Sequence, residues 1–553
     1  MRQAFIFLFF FFFTGKALNA QSWLWAKQAV VDSGSYGIEG WDMAADHSGN
    51  YVCTGYFDSR QISFGSFILY NRDTSAGSND IFIVKYDAAG NVLWATSAGS
   101  NYYDASYGVA VDPSGNIFVA GYFFSPQMIF GNDTLYADSA DVSTAIFLAK
   151  YDANGNFLWA QRAGGHDEDE ALDIAADDSG NAVITGYTYS DTMVFGTDTL
   201  YSYLGKKVFI AKYDANGNEL WAKAPGGEAG NGISVNSSGK ILVTGYFGST
   251  ISFDTITLNS MSPENVFLAE LNNSGTCIWA KCGEGSTPFA EGIDVAVDPS
   301  DNVYLSAWFK QYPVTFDTIT VNSTNYYKDA LLVKFDTSGH ALWAHKIGGT
   351  GDDVGNALAA DPAGNIYFSG GFSSPFVVAG TDTLHFPAGA QDPLFLVKYD
   401  ANGNLLCDAQ LNGGGDDNNG LVADSSGNVY VCGDFYSPPH SIPFVAGTDT
   451  LISEGTEDFF IAKYNCDIST SIYQVEKNTM KIFPNPSGGV FHIETHNAGG
   501  SELLVYDVYG KVVLDAEDFS GNNEIDLRDQ PSGVYFLELF SASEKFSTVL
   551  VKE

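Results

Sequence analysis

A five-residue phrase, D-x-S-G-N or a near variant, returns seven times along this chain. It starts at Asp46, Asp112, Asp177, Asn236, Asp298, Asp361 and Asp424. A second phrase, Leu-Trp-Ala, is centred on Trp94, Trp159, Trp221, Trp279 and Trp343, with Cys407 in the same slot. A third, Lys-Tyr-Asp, is centred on Tyr86, Tyr151, Tyr213, Phe335, Tyr399 and Tyr464, and the fourth unit replaces it with Glu270-Leu271-Asn272. The intervals run from 58 to 66 residues. A fixed period of that size limits the chain to repeat architectures, in which each unit buries its apolar face against its neighbours.

Each unit reads as four strands. In the second, Gly108 to Asp112, Asn116 to Phe123, Ala145 to Asp152 and Asn156 to Gln161 are rich in β-formers and separated by turn residues. Asp152-Ala153-Asn154-Gly155-Asn156 has the chemistry of a hairpin turn with a Gly bulge. An EF-hand loop would need Gly at its sixth position and Glu at its twelfth, and here Gly is fourth. Seven four-stranded units in series imply an all-β fold, a seven-bladed β-propeller. The ends complement each other. The seventh unit stops at Lys463-Tyr464-Asn465-Cys466 without its Leu-Trp-Ala strand, and Trp23-Leu24-Trp25-Ala26 is a spare copy. Pairing the two closes the ring and removes two open edges. Two residues before each D-x-S-G-N lie Ala44, Ala110, Ala175, Ser234, Ala296, Ala359 and Val422, small enough for a narrow central channel. The Trp residues suit the wide gap between diverging blades.

Taken together, Asp112 to Phe123 and Phe147 to Ala160, with their counterparts, resemble the repeats of bacterial secreted β-propeller proteins. The resemblance covers about residues 22–466. It implies the fold and no particular chemistry.

The two ends of the chain bear on export. Met1-Arg2, the apolar run Ala4 to Phe13 and the small residue Ala20 before Gln21 form the pattern of a secretory signal peptide, cut between Ala20 and Gln21. A ten-residue apolar run is too short to cross a bilayer as a helix, so no transmembrane anchor is expected. The expected organisation is a signal peptide at 1–20, a propeller at 21–466, a linker at 467–479 and a small C-terminal β-sandwich at 480–553. That last region carries Pro484-Asn485-Pro486, then Tyr506-Asp507 with Gly510-Lys511, then Gly533 and Tyr535, and finally Lys552. These motifs resemble the C-terminal sorting domain of type IX secretion substrates. The resemblance implies the type IX machinery as a partner, and a secreted or cell-surface protein delivered across a Gram-negative outer membrane.

Charge narrows the ligand class. The chain carries 66 acids against 26 bases, which argues against nucleic acid as a partner. Every unit has an acid just upstream of its first strand: Glu39, Asp104, Asp169, Glu228, Glu291, Asp353 and Asp416. One reading is a solvated acidic face. The other is a set of calcium sites, because calcium takes six to eight oxygen ligands. Asp42, Asp173 and Asp294 lie slightly further on, at the expected channel mouth. The eight His residues show no zinc spacing, and His166 among the acids of 167–170 occurs in one unit only. Among the six Cys, Cys407 and Cys466 are the best placed to form a disulfide, since both lie near the turn between the third and fourth strands of adjacent units. Tyr56, Phe57, Tyr122, Phe123 and Tyr246 are candidates for a carbohydrate-stacking face or for core. The leading function is a non-enzymatic binding or adhesion module for an extracellular glycan or protein. The alternatives are a polysaccharide hydrolase or lyase using loop carboxylates, and a structural surface component.

Overall fold

The computed structural model describes residues 22–466 and 481–553, except 32–36, 74–77, 125, 138–142, 202–204, 286–288, 381, 387–392, 412–417, 436–443, 448, 454–457, 495–500, 509–510, 520–521 and 541–544. The expected signal peptide with Ala20 and Gln21, the linker 467–479, Asp416 and Gly510 lie outside the described residues. The chain divides into two compact units, Met1–Ile468 and Ser469–Glu553. Among the described residues no helix is long and apolar enough to cross a membrane.

The first unit is a ring of seven antiparallel blades. Blade 1 is built from Ile38–Ala45, Tyr51–Phe57, Asp80–Tyr86 and Val92–Ala98, from the axis outward. The five blades that follow repeat this order. Blade 7 takes its outermost strand from the other end of the chain. Ser22–Gln28 pairs antiparallel with Asp458–Asn465, with Trp25 opposite Lys463 and Gln28 opposite Phe460. The innermost strands pack side by side around the axis, and that of blade 7, Asn418–Ala423, lies against Ile38–Ala45 of blade 1. The ring is therefore closed.

The repeated phrases are the contacts that hold blade to blade. In D-x-S-G-N, Asp46 Oδ1 accepts the amides of Ser48 (2.7 Å) and Asn50 (2.9 Å), and Oδ2 accepts Asn50 Nδ2 at 2.8 Å. An Asx turn of this kind fixes the hairpin without using the strand backbone. The same Asp46 meets the Lys-Tyr-Asp lysine, Lys85, at 2.8 Å, with both side chains at most 6% exposed. Blades 2, 3, 5 and 6 repeat the buried pair as Asp112–Lys150, Asp177–Lys212, Asp298–Lys334 and Asp361–Lys398. Several of these lysines also reach the next blade. Lys85 Nζ donates to Ala153 O at 3.2 Å, and Lys463 of blade 7 donates to Ala88 O of blade 1 at 3.4 Å. A buried ion pair is stable only when its remaining hydrogen-bonding capacity is met, and these donors meet it.

The Leu-Trp-Ala tryptophans do bridge blades. Trp94 Nε1 donates to Ala153 O at 3.2 Å, and its ring covers Gly155, where an added Cβ would lie 2.7 Å from the indole. Trp25 covers Gly90 of blade 1 in the same way, so the closing strand makes the standard contact across the seam. Gly90 must be glycine twice over: its φ is +81° and the indole leaves no room for a side chain. Between blades 6 and 7 the pattern breaks, because the sequence after Tyr464 lacks the Gly-bearing turn phrase on which a Trp would rest. There Cys407 stands in the Trp slot and forms a disulfide with Cys466, with Cα atoms 6.1 Å apart.

Each repeat holds more than the four strands read from sequence. Between the second and third strands a further hairpin projects, such as Thr192–Phe195 with Asp198–Tyr201. It reaches back to the outermost strand of the preceding blade: Ala163 pairs with Phe195, Gly164 with Val194, and Gly226 with Ile251. Val30–Val31 meets the blade 1 hairpin in the same manner across the seam. These hairpins cap the ends of edge strands that would otherwise offer free amides.

The second unit is a sandwich of two sheets. One contains Lys481–Phe483, Val490–Glu494 and Asn522–Asp526. The other contains Val512–Phe519, Ser501–Tyr506, Gly533–Phe540 and Lys545–Lys552. Its core includes Phe491, Ile493, Leu503, Val505, Tyr535, Leu537 and Leu550.

Candidate functional site

The six described upstream acids stand one to a blade and do not share one position. Asp104, Asp169 and Asp353 open the innermost strands of blades 2, 3 and 6 and are fully buried. Asp169 accepts Gly165 N (2.6 Å), Ser190 Oγ (2.8 Å) and Thr188 Oγ1. Asp353 accepts Gly349 N (2.7 Å) and Ser374 Oγ (2.6 Å). Both therefore tie their strand to the end of the preceding blade. Burial pushes Asp353 up to about 6 and Asp104 well above the usual carboxylate range. Glu39 and Glu291 stand one residue further on, and successive strand residues face opposite sides. Glu39 accepts the Tyr56 hydroxyl, and Glu291 Oε1 accepts Asn231 Nδ2 at 2.9 Å. Glu228 precedes its strand and is half-buried. The two-position window thus mixes an interblade position with an axial one. Among the described residues no group of three or more His, Cys, Asp or Glu is arranged to hold a metal ion.

The axis is where unshared side chains gather. Every innermost strand carries a bulge at one level, as between Gly40 and Asp42, Ala171 and Asp173, or Gly292 and Asp294. A bulge inserts one unpaired residue and re-aims its side chain. Six of those residues, Trp41, Tyr107, Leu172, Asn231, Ile293 and Asn356, line a cavity of about 290 Å3 together with Asp42, Asp173, Asp294 and Glu291. The small residues expected at the channel, Ala44, Ala175, Ala296 and Val422, instead pack against the cores between blades. Phe57 and Phe123 are core, whereas Tyr56, Tyr122 and Tyr246 are half-buried.

The three axial aspartates occupy odd blades and act as staples. Asp42 Oδ2 accepts Val109 N at 2.7 Å, Asp173 Oδ2 accepts Ile233 N at 2.6 Å, and Asp294 Oδ2 accepts Leu358 N at 2.7 Å, each from the next blade. In blades 2 and 4 the matching residue is Gly108 or Gly232, where a Cβ would strike the following blade at 2.8–2.9 Å. Loss of hydration pushes Asp42 up to about 8, Asp294 up to about 6 and Asp173 well above its usual range. Repulsion from Asp42 and Asp294 adds to the rise at Asp173.

The sign of the resulting pH dependence follows. Groups with raised folded values hold extra protons in the folded state. Their contribution is complete below the unfolded value of 3.8 and is lost as pH rises through about 6 and then about 8. Asp46 and Asp177, whose values are lowered, change only below that window. The melting temperature is expected to fall by ~3 °C or more between about pH 5 and about pH 9. The fall should shrink in Asp42→Asn; an equal fall in the variant would remove Asp42 as a cause.

Closer to the mouth, lysines sit over aromatic rings beside glutamates. Lys206 Nζ lies 3.9 Å from the Tyr187 ring centroid and donates to Tyr246 Oη at 3.3 Å. Lys328 Nζ lies 4.3 Å from the Trp308 centroid. Burial raises Glu170 and Glu291 above the usual range.

In the second unit the motif residues hold the sandwich. Asn485, between Pro484 and Pro486, pairs with the final strand like a short strand of its own: Nδ2 donates to Val549 O at 2.6 Å and Oδ1 accepts Val551 N at 2.8 Å. Asp507 and Lys511 close the turn after Tyr506, with Lys511 N donating to Asp507 Oδ1 at 3.0 Å. Gly533 opens the strand that carries Tyr535, whose hydroxyl donates to Pro531 O at 2.5 Å. Lys552 Nζ donates to Arg528 O at 2.8 Å.

Residues 481–553 match the secretion system C-terminal sorting domain, and residues 93–122 match the beta-propeller repeat. Over 484 residues the chain is 27% identical to an uncharacterized WD repeat-containing protein of Acanthamoeba polyphaga mimivirus, covering 71% of this chain and 34% of that protein. Over 115 residues it is 32% identical to the regulatory protein FlaEY of Caulobacter vibrioides, covering 21% and 12%. The chain thus spans about a third of the first relative's length and less of the second's. Among solved structures, the Dos1 propeller is similar at 10% identity, with 81% of this chain and 92% of that one covered and a TM-score of 0.33. PorZ, a surface component of the type-IX secretion system of Porphyromonas gingivalis, is 10% identical, with 96% and 100% covered and a TM-score of 0.15. Residues 481–553 thus carry a secretion system C-terminal sorting domain, and the propeller unit contains a beta-propeller repeat.

Proposed function

We propose that the protein is an exported binding module, displayed on or released from the cell surface, that engages an extracellular glycan or protein at the axial mouth of its propeller without transforming it. One observation carries this reading. The interblade carboxylates are occupied in holding the ring, while the aromatic and amide side chains at the bulges are gathered around a cavity. A small concave site with aromatic walls and a few placed polar groups is the usual form of a binding pocket. The sorting domain accounts for delivery outside the cell. The seven-fold latching supplies a rigid support, which lowers the ordering cost of binding.

The full-length protein on a glycan array, with surface-protein extracts arrayed alongside, tests this. Saturable binding that weakens in Lys206→Ala is the expected result. Absence of binding to both classes would leave a structural surface component as the better reading.

A further inference from the structure

The axial cavity has two unlike walls. At the bulge level blades 1 to 3 contribute Trp41, Tyr107 and Leu172, with Asp42 and Asp173 beside them, while blades 4 and 6 contribute Asn231 and Asn356 and blade 5 adds Glu291, Ile293 and Asp294. Trp41 and Tyr107 meet edge to face with centroids 4.6 Å apart, and Tyr107 continues to Tyr122 at 5.7 Å, so the apolar wall is one aromatic strip. The Trp41 indole nitrogen is itself buried, so Trp41 offers the cavity its ring rather than its N–H. Opposite, Asn231 Nδ2 is held by Glu291 Oε1 and Gly292 O, both at 2.9 Å, which fixes the amide in place before any ligand arrives.

An aromatic wall facing amides and carboxylates matches the two sides of a sugar ring. The C–H face packs on the aromatic strip, and the hydroxyls meet the amides and the carboxylates. The cavity, at about 290 Å3, sits at the lower edge of the ~300–1,000 Å3 range of small-molecule sites. That is room for a single ring rather than a chain segment. The surrounding ring of seven innermost strands leaves entry only along the axis. Asp294, raised only to about 6, is ionised at neutral pH, so an anionic sugar would meet like charge there.

We propose that the axial cavity is an end-on subsite for the uncharged terminal pyranose of an extracellular glycan, stacked on Trp41 and Tyr107 and hydrogen-bonded by Asn231 and Asn356. This rests on the binding role proposed above and assigns it a ligand class and a place.

The test uses the full-length protein and trisaccharides ending in glucose, galactose, mannose or N-acetylglucosamine, each beside a glucuronate-terminated counterpart. Titration calorimetry should show saturable binding of at least one neutral trisaccharide and none of the glucuronates. Trp41→Ala and the cavity-filling Leu172→Trp should each weaken Kd by about tenfold or more. Trp41→Phe, which keeps an aromatic ring and the fold, should abolish the ligand-induced change in tryptophan emission. That readout stands even if the larger substitutions disturb folding. A neutral glycan bound equally well by the wild type and all three variants would overturn the axial subsite while leaving the binding role intact. Preference for glucuronate would overturn the ligand class. If no trisaccharide binds, the subsite is overturned, and failure on the arrays as well would remove the binding role with it.

Discussion

A chain that begins at Gly37, and so lacks Ser22–Val31, should lose the cooperative melting transition of the propeller and elute as aggregate. The missing strand is the outermost strand of blade 7 and pairs along Phe460 to Asn465. With it go the cover of Trp25 over Gly90, the Trp23 indole bond to Gln410 O at 3.1 Å, and the Lys27–Asp449 pair at 3.2 Å. Asp458–Asn465 would become an open edge, and the seam between blades 7 and 1 would lose its outer contacts. The loss should exceed ~5 kcal/mol, comparable with the ~5–15 kcal/mol that holds a typical domain folded. Adding a synthetic peptide of residues 22–31 should restore part of the monomer peak, since the strand carries its own pairing surface. A monomer with an unchanged melting temperature would show that the ring does not need this strand.

Glu270→Lys should be a damaging single substitution among the interblade latches. Blade 4 runs its buried pair in reverse. Asn236 stands where other blades have Asp, Glu270 where they have Lys, and Lys240 where they have Asn. Lys240 Nζ meets Glu270 Oε1 at 2.9 Å, and Glu270 is fully buried. A lysine at 270 would sit beside Lys240 with no acid in reach. Glu270 is buried but Lys240 is a third exposed, so the cost should fall below the ~3–5 kcal/mol of a fully buried pair. The triple variant Glu270→Lys, Asn236→Asp, Lys240→Asn rebuilds the arrangement of the other blades and should recover most of that loss. Denaturant titrations of the single and triple variants check this. Additive damage in the triple variant would show that the swap is not a compensated inversion.

The ring was legible because its determinants are local and repeated. An Asx turn needs Asp, Gly and Asn at set offsets, and the Trp that spans blades has no small substitute. The surplus strand at Trp23 to Ala26 was visible as a missing strand elsewhere. The added hairpins were not legible. Asp-Thr-Leu-Tyr at 198–201 is four residues long, largely exposed and polar enough to read as loop. The axial site was only partly legible. Glu39 and Glu291 came out of an acid count, but in company with Asp104, Asp169 and Asp353, which face between blades. Trp41, Tyr107, Asn231 and Asn356 share a structural position and no chemistry, so no motif links them. The bulge that aims them also breaks the alternation by which a strand's faces are read.

The most direct measurement follows binding and turnover in one vessel. Full-length protein is incubated with a polysaccharide it retains, and bound carbohydrate and newly formed reducing ends are recorded over time. The account predicts saturable binding with no growth of reducing ends, and loss of binding when the axial mouth is altered. Steady release of reducing ends that disappears in Glu170→Gln or Glu291→Gln would contradict it and make the mouth an active site.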